Sequence, residues 1–197
     1  MKLDLLTFAA NNINISYDDV PPINPKDSDQ WWEPSAAAPQ PWTFFEGKWY
    51  SAIFTLNGSI SSTAFTTTTG QQINDTFPLS HEFENYNVFL RLVTFDVSLL
   101  SAGHTSTNHW KFIVNYYAAS NIGEFGQAAI GVVATTFTTA TMQNTGIFRR
   151  IHRQNQPLTN ASQPQLSCRG FNIVGSKIGN PSGCHCGLAF SLRLIRK

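Results

Sequence analysis

Residues 87–100 read Asn87-Val88-Phe89-Leu90-Arg91-Leu92-Val93-Thr94-Phe95-Asp96-Val97-Ser98-Leu99-Leu100. The run is free of glycine and proline and rich in β-branched and aromatic residues, which pack well on a pleated surface. Its period is two, not 3.6, so it predicts a long strand. Phe89, Arg91, Val93, Phe95, Val97 and Leu99 fall on one face, interrupted by Arg91, while Leu90 and Leu92 thicken the other. A strand with apolar groups on both sides is expected to be partly buried on both faces.

Similar runs surround it. His109–Ala118 alternates Trp110, Phe112, Val114 and Tyr116 against Lys111, Ile113, Asn115 and Tyr117, and Leu188–Ile195 turns Leu188, Phe190, Leu192 and Leu194 one way. Ala128–Thr141, Gly146–His152 and Ser167–Lys177 read as further strands. Asn57-Gly58 stands between Trp49–Leu56 and Ser59–Phe65, which predicts a hairpin turn. Seven to nine strands without helical periodicity predict an all-β fold. The expected architecture is an antiparallel jelly-roll-like sandwich over residues 48–197, with no internal repeat and no second domain.

Residues 1–47 differ in texture and read as an extended, Pro-rich N-terminal arm. Six of the 10 prolines are Pro21, Pro22, Pro25, Pro34, Pro39 and Pro41. Proline locks φ and lacks the N–H donor, so this stretch should form neither a helix nor a central strand. The arm also carries Trp31, Trp32, Trp42, Phe44 and Phe45, which a solvated linker would avoid. These five are expected to anchor it on protein, either a neighbouring molecule or the body of its own domain.

Charge is polarised along the chain. The arm holds Asp4, Asp18, Asp19, Asp27, Asp29, Glu33 and Glu46 against Lys2 and Lys26. From Phe148 onward there are Arg149, Arg150, Arg153, Arg169, Lys177, Arg193, Arg196 and Lys197 and no acid. The formal net charge of +1 conceals this contrast, and oppositely charged ends suggest surfaces that meet, within a subunit or between neighbours. Asp18, Asp19, Asp27 and Asp29 on one side and Arg149, Arg150 and Arg153 on the other are the expected partner-binding charges. Charged residues make up only 13 % of the chain, about half the usual share, with Thr, Ser, Asn and Gln in their place. Such a surface predicts a homo-oligomer.

Several functions find no support in the residues. No run approaches the roughly 18 apolar residues of a membrane span. Met1-Lys2-Leu3-Asp4-Leu5 has an early acid and no apolar core, so it does not read as a signal peptide. Three cysteines make no disulfide framework. Cys184-His185-Cys186 could hold a metal only with Cys168 and His152, and small buried residues entering a strand are the simpler reading. The histidines are scattered, and Glu82 and Glu84 read as a solvated strand face. Gly123-Glu124-Phe125-Gly126 reads as a turn, not a phosphate cradle. No enzyme, cofactor or metal is expected. The run Phe148-Arg149-Arg150-Ile151-His152-Arg153, with Arg193, Arg196 and Lys197, could bind phosphates, but nucleic-acid platforms interleave aromatics and here Phe148 stands alone. Contact with an acidic arm is the favoured reading, and nucleic acid is not expected as a partner.

A strand followed by Gly179-Asn180-Pro181-Ser182-Gly183 and a closing strand through Leu192-Arg193-Leu194-Ile195 resembles the last hairpin of β-sandwich modules in tailed-phage virion proteins, notably those of cyanophages. His109-Trp110-Lys111-Phe112-Ile113-Val114-Asn115-Tyr116-Tyr117 is similar in texture to their aromatic central strand. The resemblance covers residues 85–197. It implies a virion location after synthesis in a host cytoplasm, and a homotrimeric capsid decoration (cement) or short tail-fibre component docked on other virion proteins by its arm. A glycan-binding, lectin-like host-recognition module is the alternative, with Trp110 and Asn121–Phe125 as its candidate platform.

Overall fold

The computed structural model describes residues 13–60, 72–83, 86–118, 131–142, 144–160 and 163–197. Among them run β1 (Ile15–Tyr17), β2 (Gln30–Trp32), β3 (Trp42–Phe45), β4 (Lys48–Tyr50), β5 (Phe54–Ile60), β6 (Gln72–Pro78), β7 (Tyr86–Leu99), β8 (His109–Ala118), β9 (Gly131–Thr138), β10 (Ile147–Pro157), β11 (Thr159–Asn160), β12 (Gln163–Ile178) and β13 (Cys184–Arg196). One sheet has the order β1-β2-β3-β4-β13-β7-β10, with β5 also on β13. The other has the order β11-β12-β8-β9, with β6 also on β12.

The pairing defines the fold. Without the arm strands and the short β11, the large sheet reads β5-β13-β7-β10 and the small one β6-β12-β8-β9. The eight strands taken in chain order therefore lie first-eighth-third-sixth in one sheet and second-seventh-fourth-fifth in the other. That interleaving is the double Greek key of a jelly roll, and every named pairing within it is antiparallel. The chain is an all-β jelly roll.

Aromatic rings join the two sheets. Phe95 of β7 packs on Phe112 of β8 and Phe137 of β9, with centroids at 5.0 and 4.7 Å. Phe171 of β12 stacks on Phe190 of β13 at 4.1 Å. Leu188, Phe190, Leu192 and Leu194 are all buried, as their alternation predicts.

Strand β7 departs from simple alternation. Its buried residues are Val88 and Leu90, then Val93, Phe95, Val97 and Leu99. The phase changes because Ser191 pairs with Leu92 but Leu192 pairs with Leu90, which leaves Arg91 as one extra residue in a bulge. On the other side Arg153 pairs with Leu92 and Gln156 with Leu90, so β10 bulges opposite the same residue. Phe89 and Arg91 consequently do not share the inner face with Val93; the inserted residue lets both apolar runs reach the core.

Three further expectations change. Asn57-Gly58 is not a turn: β5 continues through it, with Asn57 opposite Ala189 and Gly58 opposite Leu188. The registered partner offered by β13 outweighs the local preference for a turn, and Phe65 lies outside the described residues. Glu82 belongs to a single 3-10 turn, His81–Phe83, instead of a strand face; Glu84 is outside the described residues. Residues 179–183 do not close a hairpin, because β12 and β13 belong to opposite sheets and the segment crosses between them. Gly179 has φ +66, and a Cβ there would collide with the Thr107 carbonyl and the Asn108 side chain.

The arm adds strands to the large sheet. Its prolines fall between strands, Pro21, Pro22 and Pro25 before β2 and Pro34, Pro39 and Pro41 before β3, where no ladder donor is lost. β2 lies between β1 and β3, so the expectation of no central strand in the Pro21–Pro41 stretch fails at Gln30–Trp32, a proline-free run of three residues, and β3, directly after Pro41, is interior as well. Among the described residues no helix is long and apolar enough to cross a membrane.

Candidate functional site

At one end of the sandwich, His104 is buried between two hydroxyls, with Nδ1 2.7 Å from Thr139 Oγ1 and Nε2 3.0 Å from Ser182 Oγ. Ser182 Oγ donates to the Ser101 carbonyl at 3.1 Å, so it accepts from His104 Nε2–H, and Thr139 donates to Nδ1. Trp110 completes the group: its backbone N–H donates to Thr139 Oγ1 at 2.8 Å and its indole N–H to the Ser182 carbonyl at 2.9 Å. Burial pushes the His104 pKa down. Among the described residues the cluster has no carboxylate to orient the imidazole, and it fastens three loops together. It also places Trp110 fully inside the core, which removes it as a glycan platform; Asn121–Phe125 lie outside the described residues.

Cys168, Cys184 and Cys186 are free and buried. Cys184 and Cys186 point the same way, with sulfurs 3.9 Å apart, while His185 between them is exposed. Desolvation raises the Cys168 thiol to about 12 and the Cys186 thiol above its ordinary value. Among the described residues no group of three His, Cys, Asp or Glu side chains gathers as a metal site would require.

Trp31 and Trp42 of the arm are fully buried and form an aromatic cluster with Trp49. Trp31 lies 6.3 Å from Trp42 and 5.5 Å from Trp49, Phe44 lies 5.1 Å from Trp49, and Trp42 lies 5.4 Å from Tyr86. Trp32 and Phe45 remain 40 % and 51 % exposed. Glu33, buried beneath this cluster, accepts from Trp42 Nε1 at 3.0 Å and from the Arg196 guanidinium, which sits 4.7 Å over the Trp31 ring. Glu33 and Trp49 were not among the contact residues singled out from sequence, and Arg196 was weighed there only as a phosphate contact. An acid beside two tryptophans was the available signal.

The four aspartates act within the arm. Asp29 is buried and accepts from the backbone N–H groups of Asn14 and Lys26 at 3.0 and 2.9 Å. The Lys26 N–H holds its carboxyl below the usual range against the opposing effect of burial. Asp18 accepts from Val20 N–H, Asp19 from Ser35 N–H and Asp27 from Glu46 N–H. The Asp18–Val20 bond is a local Asx turn, whereas those of Asp19 and Asp27 tie together segments 16 and 19 residues apart. Arg149 binds Asp96 across the β7–β10 ladder through two 2.8 Å bonds, Nε to Oδ1 and Nη2 to Oδ2. Arg150 and Arg153 are exposed.

The large sheet ends in β1 on one side and β10 on the other. Exposed apolar residues mark both margins: Ile15, Tyr17, Val20 and Ile23 near β1, and Ile147 and Ile151 on β10, at 78 % and 58 %. The first group lies among Asp18, Asp19 and Asp27, the second among Arg149, Arg150 and Arg153. Between these margins, over the double bulge at Arg91, the outer face carries a pocket of about 550 Å³ roofed by the β3–β4 turn.

No family model matches the chain, and no curated protein matches it. Among solved structures it is similar to the BFDV capsid protein in decameric form (9 % identity, TM-score 0.30, 72 % of this chain and 95 % of that one) and in 60-mer form (11 %, 0.32, 77 % and 96 %). It is also similar to a chain of Desmodium yellow mottle tymovirus (8 %, 0.30, 83 % and 94 %). The fold assignment rests on the strand pairing, independently of these overlays.

Proposed function

We propose that this chain is a viral structural protein, a jelly-roll subunit that associates with copies of itself and performs no catalysis. The observation that carries the reading is the pair of large-sheet margins. Each exposes aliphatic side chains, one within an acidic surround and the other within a basic one. Exposed apolar groups on an unpaired edge strand attract other chains, and natural monomers blunt such edges. Opposite charge on the two margins supports a heterologous, head-to-tail contact that closes into a ring when the rotation permits. In the finer reading, residues 1–47 serve as a docking arm on the 48–197 sandwich and the ring is a trimer. It would decorate a phage capsid or form part of a short tail fibre. Trp32 and Phe45 then supply the arm's apolar contacts, and Asp18, Asp19 and Asp27 steer it toward Arg150 and Arg153 of a neighbour.

Sedimentation equilibrium at micromolar concentration tests the proposal. A mass that is a multiple of 21.9 kDa is expected. Ile147→Lys with Ile151→Lys should return the monomer, and raised salt should slow assembly because exposed charges are screened within about 8 Å at physiological ionic strength. A monodisperse 21.9 kDa species for the parent chain overturns the reading.

A further inference from the structure

The outer-face pocket has a polarity that assembly does not explain. Its floor is β7 at Phe89 and Arg91, with Arg193 of β13 paired across from Phe89. Asn155 and Pro157 of β10 border the other side, Asn155 with φ +49 in the second bulge. The β3–β4 turn contributes Glu46, and β4 contributes Lys48 and Tyr50. Bulges re-aim side chains, and here two of them converge on Arg91.

The charges do not balance. Among the described residues lining the pocket, Lys48, Arg91 and Arg193 face Glu46 alone, three against one, an excess of two positive charges. Arg193 Nε is buried without a hydrogen-bond partner among the described residues. Burial first, and then the neighbouring Arg91, push the Arg193 pKa down against a smaller opposing effect of Tyr50. A buried guanidinium N–H left unsatisfied costs stability, and a bound oxyanion would satisfy it. Beside the cations, Tyr50 and Phe89 meet edge to face at 5.5 Å, and Phe45 is half exposed. Aromatic surface next to a guanidinium pair suits a charged group carried on a flat ring.

We propose that this pocket binds a small phosphomonoester borne on a ring, of the nucleoside monophosphate class. The phosphate bridges Arg91 and Arg193, and the ring lies against Phe89 and Phe45. A phosphomonoester carries about −1.5 to −2 charges at pH 7, matching the excess, whereas a carboxylate or an internal phosphodiester carries one. The volume suits such a ligand, since small-molecule sites span roughly 300–1,000 Å³.

Isothermal titration of the full chain with thymidine 5′-monophosphate, its methyl phosphodiester, thymidine and inorganic phosphate is the test. The monophosphate should bind, with the methyl ester, the nucleoside and inorganic phosphate each roughly tenfold weaker or more. Arg193→Gln and Arg91→Gln should each lose roughly tenfold or more of that affinity. Arg91 is exposed, so its variant carries the test if Arg193→Gln misfolds. A 5′-phosphorylated (dT)4 competing as well as the mononucleotide identifies a strand terminus as a source; competition by the mononucleotide alone identifies the free nucleotide. Equal binding of unphosphorylated (dT)4, equal binding of the methyl ester, or undiminished binding by the Arg91 variant overturns the proposal.

Discussion

Arg196 and Glu33, 163 residues apart in the chain, form an ion pair that joins the last strand to the N-terminal arm. Glu33 is 7 % exposed and Arg196 31 %, so the carboxylate depends on this partner and on the Trp42 indole. Removing one member of a buried pair leaves the other charge uncompensated. Arg196→Ala should therefore destabilise the protein by about 2–3 kcal/mol in guanidinium unfolding, toward the lower end of such losses because Arg196 is partly solvated. Glu33→Gln combined with Arg196→Met should recover part of that loss, and a double-mutant cycle reads the coupling. Additive effects would mean that the pair does not hold the arm.

The inter-sheet stack should be costly to remove. Phe190 is fully buried against Phe171, and its truncation to alanine opens a cavity between sheets. A loss of about 3–5 kcal/mol is expected from equilibrium denaturation.

Arg91 illustrates a register effect. Arg91→Ser keeps the inserted residue, and the melting temperature should move little. Deleting Arg91 removes the phase change, so either Val88 and Leu90 or the run from Val93 to Leu99 must turn outward. The deletion variant should be insoluble or lack cooperative unfolding, as circular dichroism during heating would show.

His104 predicts a pH dependence. Burial lowers its pKa below 6.5, with the His109 charge adding to the effect and the Ser182 contact opposing it. The unfolded chain then takes up the proton first as pH falls, so this contribution is full above pH 6.5 and is lost as pH drops toward the folded pKa. Urea midpoints should decline from roughly pH 7.5 to 5.5, and His104→Gln should flatten that slope while lowering overall stability.

The thiols should be inert in the native state. All three are buried, and desolvation disfavours the thiolates of Cys168 and Cys186. A chromogenic disulfide reagent should label none of the three cysteines before denaturation and all of them after it. Rapid labelling of the folded chain would contradict the packing.

Strand identity was legible from residues alone wherever the inner face was uniformly apolar. His109–Ala118 appears with its predicted ends, and Leu188, Phe190, Leu192 and Leu194 turn inward, because burial of one pleat face is a local, period-two property. Proline likewise marked the breaks of the arm. Pairing was not local. Asn57-Gly58 became part of β5 because β13, distant in sequence, supplied a registered ladder. Arg91 became a bulge because two apolar runs of opposite phase had to meet one core.

The pocket and the Glu33–Arg196 lock were similarly invisible in the sequence. Each assembles residues from distant strands, and only the folded sheets bring those charges together. The sequence by itself determined that the chain is all β, where most strands run, and that its charge is polarised. Tertiary structure decided which strands are neighbours, which tryptophans are consumed inside, and where the Arg193 Nε–H is left beside a cavity without a partner among the described residues. Burial alternation is encoded residue by residue, whereas register and charge pairing depend on partners that exist only after folding.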